Sequence, residues 1–511
     1  MNFSDADLIQ IKKHGLTLEE VNQQLEYFIK GFPYVSLLKE ATIGNGIRQY
    51  NEKQAENLIK LYKDSKDEYS ITKFVPASGA ATRMMKDFYS FLSEYIDEDS
   101  TPIINFSSVK HAIDNINNFA FYDLLVKCMT EQGYSLKDCL NRKDYKTIIE
   151  FILTEKGLNY GKYPKAWIVF HKSADDSRLL TAFEQHLQEA AQYSTSNGIA
   201  NIHFTIAEEH LNGFENLKTK LLPIYEQRYK IKYNITFSFQ QHSTDTIAVD
   251  EENQPIHNSN GELVFRPAGH GALINNLNKI DADIIFIKNI DNISSCHIKE
   301  TIRNKELLAG VLIQTKQKIN VLMTKLKQPK LTKQELVSIA HTINKYLNLP
   351  NIKDHTTFPT LTLFKHYLRE LIDKPIRVCG MVRNTGEPGG GPFYVISNNE
   401  TSLQIVETSQ MCLTDEKTKI ILNSSTHFNP VDLVISTKNW QNKSFNLDKF
   451  VDYQTGFITK KSFEGKTIKA MEKPGLWNGT MAKWITIFVE VPLFTFSPVK
   501  TLNDLLKKEH Q

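Results

Sequence analysis

The chain has 511 residues, of which 41% are hydrophobic and 23% charged, so it is too long for one simple core and has the composition of an ordinary globular protein. A net charge of +3, with lysines spread along the chain, is too small to argue for nucleic acid or an anionic membrane as partner. Five cysteines (Cys128, Cys139, Cys296, Cys379, Cys412), odd in number and without CxxC spacing, argue against a disulfide framework or a zinc site and fit a reducing cytosol.

The start, MNFSDADLIQIKKHGLT, is polar, so no signal peptide is expected, and no apolar run approaches the length of a membrane span. Residues 1–70 read as helical, with Gly15 and Gly31 at the stops. ITKFVP (71–76) reads as a strand, SGAATR as a small-residue turn and MMKDFYSFLSEYI as a helix. Residues 95–162 are polar and locally helical, an expected insertion. From Pro164 the expectation is strand KAWIVFH, helix RLLTAFEQHLQEAAQY, strand IHFTIA, helix GFENLKTKLLPIYEQ and strand ITFSFQ. A Gly-His-Gly helix and strand DIIFIKNID follow. Residues 297–373 are helical in pattern. After Pro375 come IRVCGMVR, PFYVIS, LQIVET and DLVIST as strands, and FSPVKTLNDLLKKEH as a turn and a helix. Strands alternating with helices predict an α/β fold with a mixed, mainly parallel sheet. The expected organisation is a helical segment 1–70, a nucleotide-binding core 71–296, a helical insertion 297–373 and a β-rich half 374–511.

Residues 261–292 carry the most information. Gly269-His270-Gly271 opens a helix, and its glycines allow close approach to a flat ligand. Strand DIIFIKNID ends on Asp291, where ligands sit in open α/β sheets. Asp291 reads either as a Mg²⁺ ligand, aided by substrate phosphates, or as the N-cap of the next helix. The turn 75–86 offers the backbone amides of Ala77, Ser78, Gly79 and Ala80 at a helix start, with Arg83 suited to phosphate. It matches neither the Walker loop nor GxGxxG, and it reads equally as a tight strand-to-helix turn with a surface arginine. Gln240-Gln241 ends a strand, where an amide reads a base edge or merely terminates the strand. EPGGGPFYV contains Gly390 and reads as a hairpin turn or as amides near a sugar or phosphate. Lys500 follows Pro498, which fixes the local backbone. Neither GxSxG nor HExxH occurs, and no metal spacing links His203, His210 and His242.

The order of these features resembles the eukaryotic-type UDP-sugar pyrophosphorylases: Thr-Arg turn, Pro-Lys, Phe-x-Gln-Gln, Pro-x-Gly-His-Gly, Asn-Ile-Asp-Asn and Phe-x-Pro-Val-Lys-Thr-x-x-Asp-Leu-Leu. The resemblance spans roughly residues 71–506, in patches. The whole chain is similar to a bacterial family designated domain of unknown function 4301. The fold so implied is a nucleotide-diphospho-sugar transferase core, Rossmann-like and of GT-A type. The family turn Leu-x-Gly-Gly-x-Gly-Thr-Arg falls on Pro76 to Arg83, keeping Gly79, Thr82 and Arg83, with Ser78 and Ala81 in place of glycines. Pro164-Lys165 best matches the family's Pro-Lys, with Lys86 as rival. Gln241, Gly269 and His270 fall on base contacts, Asp291 on the metal-linked aspartate, Glu407 and Asn429 on sugar contacts, and Lys500 on the C-terminal phosphate lysine.

The resemblance implies that UTP and a sugar 1-phosphate give a nucleotide sugar and pyrophosphate with Mg²⁺, in the cytoplasm, with small-molecule partners and neither nucleic acid nor membrane. No protein nucleophile is needed, so Arg83, Lys165 and Lys500 act by charge and position. One rival is a GT-A glycosyltransferase, but its DxD string, Asp281-Ala282-Asp283, stands at the wrong end of a strand. The other is a non-catalytic nucleotide-sugar-binding protein, favoured by Ser78 and Ala81.

Overall fold

The computed structural model describes residues 3–96, 102–173, 175–347, 352–386, 389–397 and 400–511. The chain divides into two compact units, and neither is a continuous segment. The first holds Met1–Thr72, Gln240–Ile287 and Glu306–Pro492; the second holds Lys73–Phe239, Lys288–Lys305 and Leu493–Gln511. The fold is mixed α/β, with a mainly parallel central sheet and antiparallel pairing in the smaller sheets.

In the first unit the sheet runs Thr42–Ile43, Gly46–Arg48, Ile485–Glu490, Ile376–Arg383, Asp432–Ser436, Ile284–Lys288. Ile376–Arg383 lies parallel to Ile485–Glu490 and antiparallel to Asp432–Ser436. These strands are apolar runs buried on both faces, as a sheet covered on both sides requires. The N-terminal helices Asp5–Lys13 and Leu18–Lys30 place Ile11, Val21, Leu25 and Phe28 against Ile247, Val249, Leu263 and Met471. Asp281 and Asp283 are paired with Lys438 at 2.8 and 3.2 Å, and Asp283 also accepts from Ser70, so the DxD string serves as a strand-start anchor.

In the second unit Ile71–Pro76, within which the unit boundary falls, is followed in the sheet by Ile199–Ile206 and Lys232–Phe239; the last two are parallel over eight residue pairs. The helix Ala182–Tyr193 starts at Thr181, whose hydroxyl accepts from the Glu184 amide while Glu184 reaches back, a capping box. Its Phe183 and Leu187 join Phe88, Phe151, Phe204 and Phe214 in one core. The helices of the stretch read as an insertion, such as Ser107–Asp114 and Tyr145–Leu153, place Val109, Ile148 and Ile152 in that same core. Residues 97–101 of it lie outside the described residues. Glu189 binds both Lys73, at 2.7 Å, and Lys288. Burial pushes Lys73 down to about 7; burial alone would raise the Glu189 carboxyl, but Lys288 and Lys73 hold it well below the usual range. Near the chain end His171 Nε2 meets His510 Nδ1 at 2.7 Å with the rings stacked, and His171 Nδ1 meets Gln185 Oε1 at 2.6 Å.

Several local expectations are corrected. The stretch 1–70 is interrupted by short strands Leu37–Glu40, Thr42–Ile43 and Gly46–Arg48; Ala41 and Ile47 are fully buried, so sheet burial overrides a helical pattern. KAWIVFH is not one strand. Lys165–Trp167 forms a 3-10 turn, and Val169–Lys172 pairs antiparallel with Leu179–Thr181 as a separate two-stranded hairpin, which also removes Leu179 to Thr181 from the expected helix. The Gly-His-Gly helix is a 3-10 turn, His270–Leu273, plus one α turn, Ile274–Leu277. The tail is two 3-10 turns, Leu502–Leu506 and Lys508–His510, rather than an α-helix. No helix among the described residues is long and apolar enough to cross a membrane.

Candidate functional site

The second unit gathers the expected phosphate-handling residues at the carboxyl ends of its strands. After Pro76 the Ala77 amide still bonds Thr205 O at 2.8 Å, and the Ala81 amide bonds Tyr163 O at 3.2 Å. Between these two anchors Ser78, Gly79 and Ala80 are exposed, and their amides have no protein partner among the described residues. Open space surrounds the point where a Cβ on Gly79 would stand. Such a run of unbonded amides before a helical turn is a concave donor surface for an anion. Arg83 ends the turn Ala81–Arg83, exposed and in no salt bridge among the described residues.

Lys165 is fixed to this turn through its own amide, which bonds Gly79 O at 3.3 Å. Its ammonium, 11% exposed, donates to Asp291 Oδ2 at 2.7 Å and to Val499 O at 2.8 Å. Asp291 is held in turn by its main chain: the Ile290 amide bonds Pro76 O, and the Val499 amide bonds Asp291 O at 2.9 Å. Lys500 follows Val499; its amide bonds Asp504 Oδ2, and its ammonium lies exposed, 5.8 Å over the Phe496 ring. The Leu502 amide bonds Met84 O, tying the tail to the turn. The structure therefore brings Ala77 to Ala80, Arg83, Lys165, Asp291 and Lys500 to one locality. Lys86, the rival of Lys165, is an exposed helix-start residue.

The fit of Mg²⁺ rests on Asp291. One of its oxygens accepts from Lys165, and the other has no partner among the described residues. Among those residues no cluster of three or more His, Cys, Asp or Glu ligands includes it. It therefore suits a cation that takes most of its ligands from phosphates and water.

The first unit gathers a second group. Gly269 has φ +76°, which a side chain rarely tolerates, and a Cβ on Gly271 would stand 1.9 Å from Pro474 O. The chain is thereby pressed against segment Glu472 to Thr480. His270 stacks on Trp477 at 4.2 Å, and its Nδ1 accepts from the Leu476 amide at 2.9 Å. Burial lowers its pKa against the pull of Glu407 and Glu472, so the ring is neutral with the proton on Nε2. Asn478 Nδ2 donates to Glu407 Oε1 at 2.7 Å, and Asn478 Oδ1 is buried without a partner. A Cβ on Gly390 would stand 3.6 Å from Glu407 Cγ. Gly390 O accepts from the Asn429 amide at 2.8 Å, so Gly390, Glu407 and Asn429 also come together. The Asn429 side chain itself is tied to main chain at both ends, Nδ2 to Gly380 O and Oδ1 to the Val431 amide, which gives it a structural role. Gln241 stands exposed beyond strand Lys232–Phe239 and is not bonded to the His270 group. Glu387 and Pro388 of the triple-glycine motif lie outside the described residues.

Trp477, Asn478 and Glu472 were missed from the sequence. The only signal was the turn-rich string Pro-Gly-Leu-Trp-Asn-Gly, with its single aromatic and no periodicity.

Solved structures similar to this chain include three from Trypanosoma brucei and Leishmania major. The uridine diphosphate N-acetylglucosamine pyrophosphorylase of Trypanosoma brucei, in complex with an inhibitor, is 11% identical with a TM-score of 0.48, and the match covers 98% of this chain and 79% of that one. The UDP-glucose phosphorylase of Trypanosoma brucei is 13% identical with a TM-score of 0.42, covering 98% and 77%. A variant UDP-glucose pyrophosphorylase of Leishmania major, in complex with UDP-glucose, is 11% identical with a TM-score of 0.43, covering 99% and 79%. No curated protein matches the sequence. A family model described as a domain of unknown function (DUF4301) matches residues 4–511, nearly the whole chain, and the protein belongs to that family.

Proposed function

We propose that the protein is a nucleotidyltransferase that joins a nucleoside triphosphate, UTP in the first instance, to a sugar 1-phosphate and releases pyrophosphate with Mg²⁺. The observation that carries this reading is the set in the second unit: three unbonded amides at Ser78, Gly79 and Ala80, the unpaired Arg83, and Lys165 paired with Asp291. That set supplies positive potential and one carboxylate already paired with an ammonium. It suits the in-line attack of a sugar-phosphate oxygen on the α-phosphorus, with the bond to pyrophosphate breaking as the new one forms. Such a reaction needs two polyanions positioned and their charge neutralised, not a proton relay.

In this reading the amides hold the triphosphate, while Arg83 and Lys500 neutralise its outer oxygens. Lys165, already fixed by Asp291 and Val499 O, neutralises the charge that develops during transfer. Asp291 would hold Mg²⁺ at the oxygen not bonded to Lys165, where the ion would supply further positive charge against the phosphates. In the first unit, taken by itself, Gln241, Gly269 and His270 are the residues proposed for a base and Gly390, Glu407 and Asn429 those for a sugar, of which Glu407 has the better claim because the Asn429 side chain is occupied by main chain.

The test is pyrophosphate release from purified protein with Mg²⁺, crossing five nucleoside triphosphates with a panel of sugar 1-phosphates. Release that depends on one pair is expected. No release from any pair, with UTP or a UDP-sugar still raising the melting temperature, refutes the transferase reading and leaves a binding protein.

A further inference from the structure

The first unit holds a second constellation of ligand type, separate from every residue used above. The helix Asp5–Lys13 ends at His14, and Gly15, with φ +83°, turns the chain against Ser243: a Cβ on Gly15 would stand 3.1 Å from Ser243 Cβ. That turn brings His14 to the 3-10 turn His242–Thr244 and to Asp245 just after it. His14 Nε2 lies 3.1 Å from Asp245 Oδ2, and His242 Nδ1 lies 3.4 Å from the same oxygen. All three ligand atoms fall within 4.8 Å of one another.

The geometry points to a transition-metal site formed by His14 Nε2, His242 Nδ1 and Asp245 Oδ2, of a kind that takes Zn²⁺. Metal–ligand bonds of about 2.0–2.2 Å at tetrahedral angles put ligand atoms roughly 3.3 Å apart. Two of the three separations already match that spacing. The third is closed by His242, whose side chain is 75% exposed and free to turn. The other two ligands are fixed. His14 stacks on Phe265 at 4.2 Å and 17°, and the second oxygen of Asp245 accepts from Gln240 Nε2 at 3.3 Å, the outer hydrogen bond that orients a ligating carboxylate. Two imidazoles and one carboxylate select Zn²⁺, Co²⁺ or Ni²⁺ over Mg²⁺, which prefers oxygen alone. The exposed side of His242 leaves the fourth position to water. Such an ion would join the N-terminal helix to the segment that begins at Gln241.

The experiment titrates Zn²⁺, and separately Co²⁺, into chelator-treated full-length protein, with Mg²⁺ as control. Calorimetry reads stoichiometry, and visible absorption of Co²⁺ reads a site with nitrogen ligands. His242→Ala removes one ligand from an exposed position and leaves the His14–Asp245 contact intact, so folding is preserved; Asp245→Asn is the second variant. Expected are one strong Zn²⁺ site per chain, Co²⁺ bands near tetrahedral intensity, a rise in melting temperature with Zn²⁺, and at least tenfold weaker binding in His242→Ala. No saturable Zn²⁺ binding at one equivalent, or binding and spectra unchanged in both variants, overturns the assignment.

Discussion

Lys165 is the most exposing place to perturb this protein, because its ammonium joins three segments through two short bonds. Lys165→Met keeps the unbranched stem, one atom shorter, and removes the donors to Asp291 at 2.7 Å and Val499 O at 2.8 Å. Hydrogen bonds to charged groups contribute about 1.5–3 kcal/mol each, and stranding a fully buried charge costs about 3–5 kcal/mol. Asp291 keeps 21% exposure, so water recovers part of its solvation, and a net loss of about 2–3 kcal/mol is expected. Asp291→Asn alone costs a similar amount. The double variant costs about 1–2 kcal/mol less than the sum, because each single change strands the other partner. Hydrogen exchange on peptides containing Lys165–Trp167 and Val499 reads this locally, without needing one global transition in a chain of two units. Pyrophosphate release is expected to fall about 10²–10³-fold in Lys165→Met, the usual loss when one preorganised donor to developing charge is removed. Single effects that add to within about 0.5 kcal/mol would refute the coupling, and full turnover in Lys165→Met would refute the proposed role.

Other outcomes follow from the same geometry. Gly79→Val places its side chain in open space, so the melting temperature should stay put while pyrophosphate release drops at least about tenfold, or about 1.4 kcal/mol; a lowered melting temperature would mean the turn is packed after all. Gly271→Ala drives a methyl to 1.9 Å from Pro474 O and should cost about 2–4 kcal/mol in urea unfolding; a cost below about 0.5 kcal/mol would show that the two segments are not pressed together. Burial and the neighbouring His510 hold His171 down to about 3, and burial holds His510 down to about 4. Both therefore bind fewer protons folded than unfolded, and the stability they confer is complete above about pH 6.5 and lost as pH falls toward 4 and then 3. Exchange in residues 502–511 should accelerate across that window in the wild type and much less in His510→Phe; equal acid sensitivity in both would refute the assignment.

The parts of the fold legible in the sequence are those decided locally. DIIFIKNID and IRVCGMVR are rich in apolar residues, and each holds a buried strand, Ile284–Lys288 and Ile376–Arg383. KAWIVFH carries the same composition but begins with Lys165, whose ammonium has to reach Asp291; the chain turns at Lys165–Trp167 before it can extend. The tail has helical spacing, yet Asp504 bonds the amides of Lys500 and Thr501, and the backbone winds into tight 3-10 turns instead. At the candidate site, residue types were readable and pairings were not. Lys165 and Asp291 each stood out, but their contact spans 126 positions. His242 looked isolated because its companion His14 lies at the end of the first helix, far up the chain, and only Asp245 is close in sequence. Trp477 gave no periodic signal because it stands in a turn, where stacking on His270 and a hydrogen bond from Arg377 to its carbonyl hold it.

The chain crosses between its two units at 72/73, 239/240, 287/288, 305/306 and 492/493. During synthesis, therefore, Lys165 emerges long before either of its acceptors: Asp291 comes 126 residues later and Val499 334 residues later. A ribosome adding about 5–20 residues per second takes tens of seconds to cover that interval. Until then the ammonium has Asp291 at most as its acceptor, and the turn 77–83 lacks its neighbouring tail. A fragment ending at 492 would carry every phosphate-handling residue but Lys500 and still leave Lys165 half-bonded, so removing the last 19 residues should disable the turn from a distance.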